Sequence, residues 1–460
     1  MYKQIILVLG FVSVFFFGMT QANFSQYNIN NTAQSQYLNP AFRPSSKVGI
    51  SIAPFSNLLN VQFLHTGFAL KDAFTPRTNS DTLDLTLGKL VDNLNKVNYL
   101  DFNMQNELLA FQVTTKKTSV NFTVNSVFRS GFSYPKDLLR FAYYGNGGEE
   151  YLGKRVAFDN IGFDALWYLE FGVGLNRKIG DKLTVGAKVK FLKGIASFQT
   201  AESQFGLYTD PKTYALEVDG AMALNYNNLA ALEGLQNNSS DLGAIYDSVS
   251  TTKNIGLGLD LGATFQLTKK IMLSASVIDL GAIKWKDNVT NYKVNPFTFE
   301  YKGVDVDKYL NDTSDYFQEL VDSLTQLTTV VTTHNTYSTK LYSKFYIGGS
   351  YDLTKFLNVG AVWYNSFNPG RYITALNLSG NVKLKHWIGV SGNVSFYNYK
   401  DVNLGAGINL RGGPFQIYFM TDNVLSVMYP EAAKNVHFNF GMSFQIGKTK
   451  EYKKKGLSIL

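Results

Sequence analysis

The chain has 460 residues, of which 17% are charged and 15% aromatic; it has no cysteine and a formal net charge of +8. The absence of cysteine excludes disulfides, thiolate chemistry and Cys-based metal sites. Much of the positive excess lies in Lys448, Lys450, Lys453, Lys454 and Lys455, a solvated C-terminal run and not a nucleic-acid patch, so no nucleic-acid partner is expected.

At the N-terminus Lys3 is the only charge before an apolar run from Ile5 to Phe17, and Thr20-Gln21-Ala22 offers a small-residue cleavage site. This pattern predicts a signal peptide over residues 1–22, with a core too short for a comfortable membrane span. No Cys follows that core, so a lipoprotein anchor is not expected. The remaining chain has no run of 18 apolar residues, hence no expected transmembrane helix. Low charge, many aromatics and plentiful glycine instead match a barrel whose strands present half their residues to lipid.

Residues 23–46 precede the expected barrel. They include Gln34-Ser35-Gln36-Tyr37-Leu38-Asn39-Pro40-Ala41-Phe42-Arg43. Pro40 restricts Asn39 to extended conformations and cannot donate to a sheet ladder, so locally the motif reads as a turn. Residues 47–447 follow as the expected barrel, and 448–460 as a basic periplasmic tail.

Two stretches have helical spacing. One runs from Leu83 to Leu94, with Leu83, Leu87, Leu90, Val91 and Leu94 on one face. The other lies between Val304 and Val330, with Leu310, Phe317, Leu320, Val321, Leu324 and Leu327. Both are expected to be helices of external loops. Asp312, Asp315, Glu319 and Asp322 in the second are spaced as a solvated helical face.

Strand–turn–strand units recur at Gly172–Ala187, Gly258–Leu273 and Gly348–Ala361, and Gly412-Gly413-Pro414 forms a comparable turn. From Lys340 to Ile446 hairpins follow one another without a linker. Leu376, Leu378, Gly380 and Val382 alternate with Asn377, Ser379 and Asn381; Val402, Leu404, Ala406, Ile408 and Leu410 alternate with Asn403, Gly405, Gly407, Asn409 and Arg411. Alternation tells which residues share a face, not which face is wet. Short turns are placed on the periplasmic side and the longer connections Lys284–Thr339, Ser366–Tyr372 and Asp422–Ala433 outside. Between Ser197 and Asn254 the strand parity does not close. Trp363, Tyr364, Tyr397, Tyr399 and Tyr418 are candidates for interfacial aromatic girdles.

The last segment, Val436 to Ile446, alternates strictly over eleven residues, the length a tilted strand needs to cross a bilayer (roughly 9–11 residues). Within it Asn439, Gly441, Phe444 and Ile446 match the C-terminal insertion signal of bacterial outer-membrane barrels, read by the barrel-assembly machinery.

A search for catalytic groups finds little. His437 shares the polar face of its strand with Asn439 and Ser443, but Ser443 is six residues away, roughly 20 Å along a strand, too far for a Ser–His hydrogen bond. Gly389-Val390-Ser391-Gly392-Asn393 lacks the final glycine of a nucleophile elbow. Phosphate loops, zinc spacings and calcium loops are absent. Neither an enzyme, nor a cofactor, nor a metal is expected, and His437 reads as lumen-lining.

Asn39-Pro40-Ala41 after a signal peptide resembles the N-terminal hatch motif of long-chain fatty-acid transporter-type barrels, and this resemblance implies an N-terminal hatch or plug over residues 23–46. The Leu38-Asn39-Pro40-Ala41-Phe42 opening, the glycine-rich hairpins and Gly405-Ala406-Gly407-Ile408-Asn409-Leu410-Arg411-Gly412-Gly413-Pro414-Phe415 are similar to uncharacterised outer-membrane barrel families of Bacteroidota-type bacteria. The expectation is an all-β transmembrane antiparallel barrel of about 14 strands (12 to 16) with a short plug and helical extracellular loops, in the cell outer membrane. The resemblance implies passive transport of a small hydrophobic molecule through a plugged lumen. The alternative is a non-transporting scaffold of a secretion, adhesion or gliding machinery. Expected partners are outer-membrane lipid, lipopolysaccharide and a hydrophobic small-molecule ligand.

Overall fold

A computed structural model describes residues 22–29, 32–53, 58–76, 83–228, 252–301, 329–368, 371–385, 387–398, 401–429 and 432–449. In chain order its elements are α1 (Phe24–Asn28), β1 (Ser46–Ile52), β2 (Leu58–His65), β3 (Phe74–Pro76), β4 (Leu83–Leu85), α2 (Leu87–Asp92), β5 (Val97–Thr114), β6 (Thr118–Pro135), α3 (Lys136–Tyr144), β7 (Arg155–Ala157) and β8 (Gly162–Ile179). There follow β9 (Leu183–Thr209), β10 (Leu216–Asn227), β11 (Ile255–Gln266), β12 (Ile271–Trp285), β13 (Val289–Tyr301), β14 (Val330–Thr333), β15 (Tyr337–Lys340) and β16 (Ser343–Asp352). The last are β17 (Leu357–Asn368), β18 (Arg371–Lys385), β19 (Ile388–Tyr397), β20 (Asp401–Gly412), β21 (Phe415–Thr421), α4 (Val424–Met428) and β22 (Asn435–Lys448).

β1 and β2 are two parts of one wall strand, because both pair with β5 on one side and β22 on the other. The wall continues through β5, β6, β8, β9, β11, β12 and β16, each antiparallel to the next. It completes through β17, β18, β19, β20, β21 and β22. Among the described residues this is a closed barrel of 14 antiparallel strands. Closure gives each wall strand a hydrogen-bonded neighbour on both sides, the condition for crossing hydrocarbon.

Burial resolves which face is wet. Many buried wall positions are polar, among them Asn377, Ser395, Asn409, His437 and Asn439, while Leu376, Leu378, Val402, Leu404 and Phe438 are exposed on the outside. That is the reverse of a soluble core, as expected when the exterior solvent is lipid. Trp363 projects outward. Tyr364, Tyr397 and Tyr418 do not: all three are buried, correcting their girdle assignment. Tyr397 continues the inward set Ser391, Asn393 and Ser395, and strand parity overrides aromatic preference. Tyr399 lies outside the described residues.

The unresolved parity upstream has a simple cause. β9 is 27 residues long. Its first part, Leu183–Lys193, pairs with β11, whereas Ser197–Thr209 pairs with β10. The β9–β10 hairpin thus rises above the wall and, with β13 and β14, forms an external sheet that adds strands to the sequence but none to the barrel. The hairpin turns at 115–117, 180–182, 267–270, 353–356 and 413–414 all fall at one end, opposite the long connections.

The helix expected over Leu83 to Leu94 is shorter. Leu83–Leu85 pairs with Phe74–Pro76 as a small hairpin, and only Leu87–Asp92 is helical. Strand pairing claims the first turn, and Leu90 and Val91 pack on Ala73 and on Leu139 of α3. α3 itself begins directly after Pro135, a compatible position before a helix. The stretch expected to be helical between Val304 and Val330 is described only from residue 329, where β14 begins. The acidic residues 312–322, the expected signal peptide up to residue 21 and the expected tail from 450 lie outside the described residues.

Candidate functional site

Described residues of the N-terminal segment contact inward-facing residues of the wall. α1 has only five residues, too few to hold a helix by its own hydrogen bonds, and tertiary contacts supply the rest. Asp422, just after β21, accepts the N–H groups of Phe24 and Ser25, each at 2.8 Å, and the Ser25 hydroxyl at 2.6 Å. Its own N–H donates to His437 Nδ1 at 3.0 Å, so the histidine lines the lumen and orients the residue that caps the plug. Phe24 meets Tyr364 edge-on at 5.9 Å, and Tyr27 stacks on Tyr346 at 5.0 Å. These rings sit in a lumenal apolar cluster with Val362, Ile373 and Tyr397.

Asn39, Pro40 and Ala41 make the second anchor. The Asn39 side chain accepts the Ala41 N–H at 2.9 Å and donates to the Ala275 carbonyl at 3.2 Å, closing the turn and fixing it to the wall. Asn176 donates to the Pro40 carbonyl at 3.2 Å, and the Ser276 hydroxyl donates to the Leu38 carbonyl at 2.6 Å. Asn176, Gly186, Gly262 and Ser276 are consecutive partners across four strands. The two glycines leave a notch in this row: a Cβ on Gly186 would collide with the Pro40 backbone, and one on Gly262 with the Asn39 side chain. Arg43 then closes the plug at the end of the short hairpin turns by donating to the carbonyls of Thr115 and Lys117, both at 2.8 Å.

Between the anchors lies a buried charge cluster. Tyr37 donates to Glu107 at 2.5 Å, while the Lys188 ammonium lies 4.3 Å from the centre of the Tyr37 ring. Burial, reinforced by the neighbouring Glu107 carboxylate, pushes the Tyr37 hydroxyl well above its ordinary range, so it remains a donor. Lys190 reaches Asp279 at 2.6 Å, Asp260 at 2.9 Å and Glu170 at 3.4 Å. Asp279 also binds Arg129 at 3.0 Å and Lys344 at 3.1 Å. None of these residues was singled out in the sequence. The usable signal was a charge at an inward position of a strand, as in Leu259-Asp260-Leu261 or Val189-Lys190-Phe191.

Above the plug a small chamber of about 50 Å³ is bounded by Asn23 of the plug, Asn103, Met104, Val127, Arg129, Lys344, Tyr364, Ile373 and Tyr397. It shares Arg129, Tyr342 and Asn368 with an outer vestibule of about 650 Å³ lined by Leu166, Phe198 and Leu341. At this neck the Arg129 guanidinium stacks 5.1 Å from the Tyr342 ring centre, and its buried Nη1 has no hydrogen-bond partner; neither has Asn103 Oδ1 in the chamber. Arg371, at the start of β18, pairs across the mouth with Asp101 of β5 and lies 4.8 Å over the Tyr99 ring. Among the described residues no three His, Asp or Glu side chains form a metal-ligating group.

The residues of the C-terminal signal divide between the two faces of β22. Asn439 points inward and donates to Gln26 of the plug at 2.9 Å. Gly441 lies under the Tyr418 ring, its ladder partner. Phe444 and Ile446 face outward, Phe444 packing 4.7 Å from Phe415. Ser443 accepts from Gln445 at 2.8 Å and has no contact with His437. Ser391 is buried within β19, in regular strand and not at an elbow.

A model of a family of unknown function (DUF5723) matches residues 40–422. No curated protein sequence matches the chain. Among solved structures, the chain is similar to the toluene transporter TbuX of Ralstonia pickettii, with 12% identity, 91% of this chain and 94% of that chain covered, and a TM-score of 0.44. It is also similar to a FadL homologue of Pseudomonas aeruginosa, with 11% identity, 93% and 97% coverage and a TM-score of 0.43. For the toluene transporter TodX of Pseudomonas putida the values are 9% identity, 90% and 92% coverage and 0.41.

Proposed function

This chain belongs to the family of unknown function DUF5723, and we propose that it is an outer-membrane channel for passive uptake of a small molecule with a hydrophobic body. The observation that carries this reading is the small chamber above the plug and the larger outer vestibule, which share Arg129 and Tyr342 in their linings. Met104, Val127, Tyr364, Ile373 and Tyr397 offer apolar contact, while the unpartnered Arg129 Nη1 offers one buried donor to a polar or anionic end. Passage below the chamber requires the plug to shift, because its polar segment occupies the lumen down to Arg43. Nothing in this arrangement calls for a catalytic step or a cofactor. Asn39, Pro40 and Ala41 hold the plug, and Asn439, Gly441, Phe444 and Ile446 serve recognition by the barrel-assembly machinery.

The test is mass spectrometry of small molecules co-purifying with the protein from its own outer membrane, against an unrelated barrel. Enrichment of one hydrophobic or amphipathic compound, lost in Arg129→Gln, supports the channel. A second reading, a scaffold that docks other proteins, is favoured by one observation. The external sheet places Val218, Met222 and Leu224 beside Phe299, Val294 and Tyr292 on one face, with Tyr292, Val330 and Val331 exposed. Enrichment of protein partners alone would move the assignment there.

A further inference from the structure

We infer that the outer wall over β9, β11, β12 and β15 binds the phosphorylated headgroup of an outer-leaflet glycolipid. Ile255, at the end of β11 remote from the 267–270 turn, pairs with Lys193 on one side and Lys284 on the other. Lys284 in turn pairs with Ser338, and Lys340 with Ala282. Lys253 and Lys286 stand two residues beyond Ile255 and Lys284, just past the ends of β11 and β12. With strands about 4.8 Å apart, Lys193 and Lys284 flank Ile255 at about 10 Å from each other. Lys253, Lys284, Lys286 and Lys340 are exposed. Among the described residues, none of these four ammonium groups has a carboxylate within ion-pair distance.

The chemistry changes within one pleat. The outward row one step nearer the membrane centre is Phe191, Leu257 and Ala282, and the next is Val189, Leu259 and Leu280. Leu257 is 65% exposed, among the most exposed large apolar side chains of the protein. A cationic patch set directly on a lipid-facing apolar surface, at the outer end of the strands, fits an amphiphile with anionic phosphates above and acyl chains below. A soluble anion would make no use of the apolar rows. An acidic protein would meet them only by entering the bilayer. The assignment of this end to the outer leaflet rests on the outer-membrane orientation proposed above, but binding by the purified protein does not depend on it.

The experiment uses full-length protein purified in detergent micelles and native mass spectrometry with diphosphorylated lipid A, its dephosphorylated form, and inorganic pyrophosphate. The expected result is at least tenfold tighter binding of the diphosphorylated lipid than of either other probe. That preference should fall at least tenfold in Lys284→Gln/Lys286→Gln/Lys340→Gln and survive in the corresponding triple arginine variant. Heat-modifiable migration on gels confirms that each variant is a folded barrel. Equal binding of the dephosphorylated lipid, or an unchanged preference in the glutamine variant, would overturn the inference. Pyrophosphate binding as tightly as the lipid would overturn its lipid part. If the chain's own acidic stretch around Asp312 and Glu319 covers the lysines, neither lipid binds above background, which also overturns it. Loss of the small-molecule enrichment described above would leave this result unaffected, so the two readings fail separately.

Discussion

The carboxylate of Asp260 accepts the backbone N–H of Asp279 at 2.8 Å. Asp279 is a non-glycine residue at φ +62°, in a bulge where the β11–β12 register shifts. A bulge frees a ladder amide and turns an additional side chain to one face; here both Ile278 and Asp279 are buried. Asp260 satisfies the freed amide, and Arg129, Lys190 and Lys344 gather on the carboxylate that the bulge delivers.

Removing that carboxylate with Asp279→Ala leaves the buried Arg129 and Lys190 and the partly exposed Lys344 without a shared partner. Breaking a buried pair costs about 3–5 kcal/mol, and several pairs end here. The midpoint of heat-modified migration on semi-native gels should fall steeply. Asp260→Asn keeps an acceptor for the Asp279 N–H and should be milder than Asp260→Ala. Equal losses for the two changes at Asp260 would refute the role given to that hydrogen bond.

Gly186→Val should unseat the plug without opening the wall. Its added side chain points into the Pro40 backbone, which is held in turn by Asn176. We expect a folded, heat-modifiable barrel whose conductance in planar bilayers rises at least severalfold. Unchanged conductance would show that the notch does not fix the plug.

Arg371→Ala removes the ion pair across the mouth to Asp101. The expected outcome is faster entry of small solutes in liposome-swelling assays, by a few fold, with little change in barrel stability. If Asp101→Ala and the double variant each match Arg371→Ala, the pair acts as a unit. Entry rates equal to the parent protein in all three would exclude a gating contribution.

Phe444→Asp places a charge on the lipid face of the closing strand. Charges there cost about 2–4 kcal/mol at mid-bilayer for basic residues and less for acidic ones. Loss of the aromatic position is nevertheless expected to block assembly through the C-terminal signal. Normal amounts of heat-modifiable protein in outer-membrane fractions would refute the role assigned to Phe444.

Period-2 alternation made the strands legible, and polar faces such as Asn377–Ser379–Asn381 proved to line a lumen. It also held the answer for Tyr364, Tyr397 and Tyr418, whose parity was a better guide than their aromatic character. The charge cluster was less visible because Glu170, Lys188, Lys190, Asp260 and Asp279 lie on four strands up to about a hundred residues apart, and only ladder register brings them to one place.

The sequence by itself determined that the chain is a barrel: alternation and turn spacing are local properties, and a strand needs only its own residues to declare two faces. Asn39-Pro40-Ala41 was likewise recognisable as a turn from three residues. Only the tertiary structure decided where that turn docks, since its seat is a row contributed by four strands and emptied by Gly186 and Gly262. It also decided that half of β9 leaves the wall, because pairing partners are chosen by register across the sheet and not by anything the strand carries alone.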